Sequence, residues 1–200
     1  MRALVMAALL AWGVGVAAQP SAMLKLGPVG PAARIEFAAL DSARLAEEDA
    51  LARREGRPYR YGIVHPVKDV ALGPGLNRGG EWLALADGRW LWRLELRAQG
   101  ARSLDPVFSH YFLPHGAELW FSDGSGQQAH GPYTDAHNPP EGGLALPMVL
   151  GERALLELLV PSDARDRVRL ELSGISHGYR DPAAAAQKSG SCNIDTICPQ

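Results

Sequence analysis

Cysteine is nearly absent: the 200 residues hold two, Cys192 and Cys198, both within the last twelve positions. A structural zinc site needs four nitrogen or sulfur ligands, and no third thiol exists to help build one. A charge excess is missing too, with 20 basic against 22 acidic residues and a formal net charge of -2. That removes the electrostatic footprint of a nucleic-acid or anionic-membrane binder. The one long apolar run, Ala3 to Val16, is too short to span a bilayer comfortably. No helix carries an HExxH pair, so metalloprotease chemistry has no ligand set. Ser122-Asp123-Gly124-Ser125-Gly126 has serines but no G-x-S-x-G nucleophile turn, and reads as a hairpin turn. No internal repeat is visible.

The remaining candidates for chemistry are thin. His65, His110, His115, His130, His137 and His177 are scattered, with only the loose His130/His137 pair near ligand spacing, and read as loop or surface residues. Asp123, Asp135 and Asn138 offer oxygens to calcium without the spacing that six to eight ligands require. Trp82, Trp90, Trp92 and Trp120 read first as packing residues, with a ligand platform as the other possibility. No metal and no cofactor is expected.

The N-terminus has the build of an export signal. Arg2 is the positive region, Ala3 to Val16 the uncharged apolar region, and Val16-Ala17-Ala18 the small-residue cleavage site. Residues 1–18 are therefore expected to be a signal peptide cut between Ala18 and Gln19. The product is then secreted or periplasmic, with no membrane attachment after cleavage. Export places the two cysteines in an oxidising compartment. A Cys192–Cys198 bridge would close a small loop of modest value; pairing with partners beyond Gln200 is the alternative.

From residue 19 the chain divides by composition. Residues 19–58 read as an extended arm and one helix. Ile35-Glu36-Phe37 suits a short strand. Asp41-Ser42 offers an N-cap, Ser42 to Arg54 is rich in helix formers, and Gly56 then Pro58 stop the run. Leu45, Ala46, Ala50, Leu51 and Arg54 give a weak stripe, with Glu47, Glu48 and Asp49 placed early, near the positive helix end. Residues 59–181 read as strands. Tyr59 to Val64 is β-prone, with Pro66 confining it to an edge, and Gly73 to Gly80 reads as a loop. Asp87-Gly88 between two apolar runs, Glu81 to Leu85 and Arg89 to Arg97, predicts a hairpin with a type I′ turn. On the second strand Trp90, Trp92, Leu94 and Leu96 share a face, opposite Arg93, Glu95 and Arg97. In Leu104 to Leu113, Phe108, His110 and Phe112 alternate with Val107, Ser109 and Tyr111. Glu118 to Phe121, Leu144 to Val149, Arg153 to Val160 and Arg167 to Ser173 supply more strands, and Gly131-Pro132-Tyr133-Thr134 opens a loop. Arg153 to Val160 carries leucines on both faces. Gly 22 and Pro 15 suit many short strands joined by turns. The expected fold is mainly β: a two-sheet antiparallel β-sandwich, jelly-roll-like, with one short N-terminal helix. Residues 182–188, with Ala183 to Ala186, read as a linker.

Five segments carry a family resemblance. Arg89-Trp90-Leu91-Trp92-Arg93-Leu94 resembles a VWRL strand. Phe112-Leu113-Pro114-His115-Gly116-Ala117-Glu118-Leu119-Trp120 is similar to LPxGAxLW. Gly131-Pro132-Tyr133-Thr134 resembles GPYT, His177-Gly178-Tyr179-Arg180 resembles HGYR, and Ser189-Gly190-Ser191-Cys192-Asn193-Ile194-Asp195 is similar to a mature enzyme start. In register, from about Gly80 to Gln200, they resemble the prepro region of bacterial lysyl endopeptidases, which are secreted trypsin-like serine proteases. The sequence departs from that pattern at Asp135 to Pro140, Leu144 to Pro147 and Leu150 to Arg153. The resemblance implies that 59–181 is a propeptide domain acting as intramolecular chaperone and temporary inhibitor. It implies that 189–200 is the truncated start of the mature protease, and that a downstream or separate serine protease domain is the partner. The triad would lie beyond this chain, so the chain itself is expected to catalyse nothing, and its parent to cut after Lys or Arg. Lys188–Ser189 is the expected maturation bond, with Arg180–Asp181 a second possibility. Cys192 and Cys198 would staple the mature N-terminus to the protease body. The rival reading is a free-standing secreted β-sandwich that binds carbohydrate or mediates protein adhesion.

Overall fold

The computed structural model describes residues 32–181. β1 (Arg34–Phe37) leads to α1 (Ser42–Arg54). There follow β2 (Gly62–Pro66), β3 (Ala71–Gly73), β4 (Leu76–Arg78), β5 (Glu81–Ala84), β6 (Trp90–Ala98), β7 (Ser103–Phe112), β8 (Glu118–Ser122), β9 (Ala129–Tyr133), β10 (Leu144–Ala145), β11 (Val149–Leu150), β12 (Arg153–Val160) and β13 (Arg169–Gly178). Two sheets form. One runs β1-β6-β12-β8-β9, with β5 sharing the β1 edge of β6; the other runs β10-β7-β13-β3-β4, with β11 beside β10 on β7 and β2 beside β3 on β13. The mainly β, two-sheet fold with one helix is as expected. The pairings are antiparallel except β1 with β6, which run parallel. That strand enters from the N-terminal arm rather than from a hairpin, so nothing forces it to reverse.

The core lies between the sheets. Trp92, Leu94, Leu96, Leu156, Leu158 and Phe121 from the first sheet meet Leu104, Phe108, Tyr111, Leu170, Leu172 and Ile175 from the second. β12 is hydrogen-bonded to β6 on one side and β8 on the other. Its leucines are buried on both faces, as the sequence suggested; on the face away from the core, Leu155, Glu157 and Leu159 are flanked by Leu91, Arg93 and Glu95 of β6 and by Glu118, Trp120 and Ser122 of β8. On the face away from the core, Arg93 pairs with buried Glu157 at 3.0 Å, and Glu95 gathers Arg34, Arg97 and Arg153.

Several expectations need correcting. The turn joining β5 to β6 is not type I′: the Gly88 N–H donates to the Leu85 carbonyl, so Ala86 and Asp87 are central and Gly88 (φ 85°) follows as the left-handed residue. The Gly73–Gly80 loop holds the short β3–β4 hairpin. GPYT does not open a loop; its first three residues end β9, paired with β8. On β7 the alternation breaks. Register shifts against β13 around Leu172 leave Ser109 unmatched, so Phe108 and Tyr111 both enter the core while His110 and Phe112 face outward. The tryptophan face of β6 is correct for Trp92, Leu94 and Leu96, but Glu95 on the opposite face is buried too.

Helix α1 has the predicted limits. The Asp41 side chain accepts from the Arg44 N–H at 3.0 Å, and Arg53 and Arg54 occupy the last turn. No acidic residue falls in its first turn, so Glu47, Glu48 and Asp49 gain nothing from the positive helix end. Of the expected stripe Leu45 is buried, while Ala46, Ala50, Leu51 and Arg54 are exposed, and Asp49 takes the other buried position.

Candidate functional site

Asp49 explains how a charged residue comes to be the buried face of a surface helix. β13 carries the chain to Gly178, and the next two residues fold back against α1. The Tyr179 hydroxyl donates to Asp49 Oδ2 at 2.8 Å, and the Arg180 guanidinium donates to the same carboxylate. Arg60, from the segment after α1, reaches Asp49 at 3.1 Å and Glu48 at 3.0 Å, and its Nε donates to the Tyr179 hydroxyl at 3.2 Å. Arg180 also stacks over the Tyr59 ring at 4.5 Å. Burial pushes the Asp49 carboxyl up, but donation from Arg180 and Tyr179 outweighs it and holds the group below the usual carboxylate range. The result is a clasp that ties the exit of the domain to its only described helix. A groove of about 490 Å³ runs beside it, lined by Leu40, Leu45, Gly100, Arg102 and Tyr179.

Two residues before Tyr179, on β13, His177 meets His65 of β2, Nδ1 to Nε2 at 3.2 Å, and His65 stacks on Phe37 of β1 at 4.7 Å. Burial lowers the pKa of both imidazoles. The charge of His65 adds to the effect on His177, and Glu152 opposes it. Next to them Ser176 donates to the Tyr61 hydroxyl at 3.1 Å, and that hydroxyl donates to Asp105 at 2.9 Å. Burial raises the Asp105 pKa against the donation it receives from Tyr61. Gly178 is required here by space: a Cβ would stand 2.1 Å from Ser103 Oγ. The HGYR segment is thus a run of four structural contacts.

The reading of all six histidines as loop or surface residues fails for His177, which is buried on β13. His130 bonds to the Met148 carbonyl and His137 to Thr134, so the His130/His137 pair is not brought together. His110 pairs with Glu171 and His115 with Asp135. The pair that forms, His65 with His177, is 112 residues apart and could not be read locally. Asp123 folds onto Ser125 and Gly126 as the β8–β9 turn, and Asn138 satisfies both the N–H and the carbonyl of Leu113. Trp92 and Trp120 are buried. Trp82 and Trp90 are half-buried and capped by Arg165 at 5.2 and 4.5 Å, which closes the platform that a sugar ring would use.

The expected processing and disulfide residues, Ala18, Gln19, Lys188, Ser189, Cys192 and Cys198, lie outside the described residues. Arg180 does not. Its side chain is 24% exposed and held by Asp49 and Tyr59, so it is poorly placed to enter a protease pocket. Among the described residues no helix is long and apolar enough to cross a membrane.

The fold and the clasp define a class: a two-sheet β-domain whose C-terminal exit is tied down by a polar network rather than left as a free end. Within that class, the chain belongs to the lysyl endopeptidase N-terminal domain family, whose model matches residues 35–179. It is also 28% identical over 194 residues to a lysyl endopeptidase of Pseudomonas aeruginosa, covering 84% of this chain and 37% of that protein. The chain therefore spans less than two-fifths of that relative's length. No solved structure matches.

Proposed function

We propose that residues 59–181, with the helix before them, are the propeptide domain of a secreted or periplasmic serine endopeptidase cutting after Lys or Arg. The domain binds its protease; it does not catalyse. It serves as a folding template and as a temporary inhibitor. The observation that carries this reading is the family match over 35–179, which takes in all but the first residue of the two sheets and every clasp residue except Arg180. The physical logic is kinetic. A protease β-barrel is rich in long-range pairings and folds slowly, and a bound template offsets part of its loop-closure entropy.

Processing follows the same logic. The signal peptide is removed between Ala18 and Gln19, and maturation occurs at Lys188–Ser189. The clasp supports Lys188 over Arg180 as the cut, because Arg180 is committed to Asp49. Cys192 and Cys198 then pair with partners beyond Gln200, and the protease domain is the downstream or separate partner.

The test is to titrate the purified chain into mature Pseudomonas lysyl endopeptidase. Residual activity and refolding yield from denaturant are both read. Inhibition together with a raised refolding yield is expected. A folded chain that changes neither quantity would sink the reading.

A further inference from the structure

We propose that the Lys68–Asp69 bond is where a lysine-specific partner protease dismantles this domain and ends its inhibition. The inference rests on the propeptide reading above and sharpens it, since it assigns the partner a preference for lysine over arginine.

Lysine is scarce in a way that arginine is not. Of 20 basic residues only Lys25, Lys68 and Lys188 are lysines, and Lys68 is the one that falls among residues 32–181. Some arginines hold geometry that an ammonium would not reproduce, such as Arg60 between Glu48 and Asp49, or Arg165 over two tryptophans. Others, including Arg53, Arg54, Arg78 and Arg102, stand exposed where a lysine would serve equally well. An arginine-specific enzyme therefore meets many side chains on the folded body. A lysine-specific enzyme meets one.

That one is presented for cutting. Residues 67–70 connect β2 to β3. The Val67 N–H donates to the Ser173 carbonyl at 2.9 Å, and the Val70 carbonyl accepts from the Leu172 N–H at 3.1 Å. Val70 is 2% exposed, whereas Lys68 and Asp69 between the two anchors are exposed. The residue after Lys68 is aspartate, so the bond lacks the proline that follows Arg57. Hydrolysis breaks the Lys68 C–N bond. Water supplies the second oxygen of the new Lys68 carboxylate, and its two protons end on the new Asp69 amine as an ammonium.

The consequence follows from topology. The cut separates β1, α1 and β2 from β3 to β13. β2 rests on the edge of β13 through five paired residues, β1 on the edge of β6 through four, and α1 on the Asp49 clasp. Once the covalent link is gone, their return is a bimolecular event, and the effective concentration that held them is lost.

The experiment incubates the native full chain, wild type and Lys68→Arg, with mature Pseudomonas lysyl endopeptidase. It follows inhibition and intact mass over time. Wild type is expected to yield fragments ending at Lys68 and starting at Asp69 as inhibition wanes. The Lys68→Arg chain is expected to keep the 26–188 span whole and to inhibit about tenfold longer. Inhibition that wanes equally fast in both chains, or a 68–69 bond cut only after denaturation, overturns this inference alone. No inhibition by the intact chain overturns the propeptide reading and this inference with it.

Discussion

Three donors from two separate segments, Arg60 and Tyr179-Arg180, converge on Asp49. Removing it takes the carboxylate from Arg180 and leaves the Tyr179 hydroxyl only the Arg60 carbonyl, at 3.2 Å, to donate to. Asp49→Ala is expected to cost about 2–3 kcal/mol in a urea melt at pH 7, short of the largest values because Arg60 stays partly in solvent. The folded pKa lies below the unfolded value of 3.8, so this stabilisation is complete above 3.8 and fades as pH falls through the folded pKa. The gap between wild type and Asp49→Ala should therefore close in acid. The histidine pair acts in a higher window. Both imidazoles have pKa values lowered from 6.5, so below that pH the unfolded chain binds protons that the folded chain refuses. The urea midpoint of wild type should fall as pH drops from 7 towards 5. Replacing the pair, His65→Phe with His177→Gln, should flatten that fall; an unchanged slope would show that the proton uptake lies elsewhere.

Helix α1 shows what a local pattern reveals about an element and what it hides. Its ends were legible because capping is local: Asp41 bonds three residues ahead, and Gly56 and Pro58 stop the run. Its buried face was not, because the partners of Asp49 lie 11 and about 130 residues away. Leu51→Ser should thus change stability by less than about 0.5 kcal/mol, whereas Leu45→Ala should cost about 2 kcal/mol, both read from thermal or urea melts. The strands divide in the same way. β12 was legible by its leucines. The β7 bulge was not, since a register shift is decided by two strands together. The hairpin at Gly88 was found and its turn type missed, because the same Asp-Gly pair serves either geometry. Of the site, the HGYR segment was visible only as a resemblance, and the contacts that give it meaning needed the fold.

At the scale of the whole molecule, stability rests on the layer where the two sheets meet. Leu158 lies at its middle, fully buried between Trp92 of β6 and Leu119 of β8. Leu158→Ala should cost about 3 kcal/mol through lost contacts and a residual cavity. Calorimetry should show a melting temperature lower by about 10 °C. The clasp should survive that change, since it lies at one end of the sandwich and shares no contact with Leu158. The order of the strands has a further consequence. The last strand among the described residues, β13, is not at an edge but in the middle of its sheet, holding β7 on one side and β2 and β3 on the other. During synthesis, the strands ahead of Arg169 must wait with that sheet open. The body closes only as Gly178 arrives, and the clasp locks two residues later, so any segment emerging after Asp181 meets a domain that has finished folding moments before.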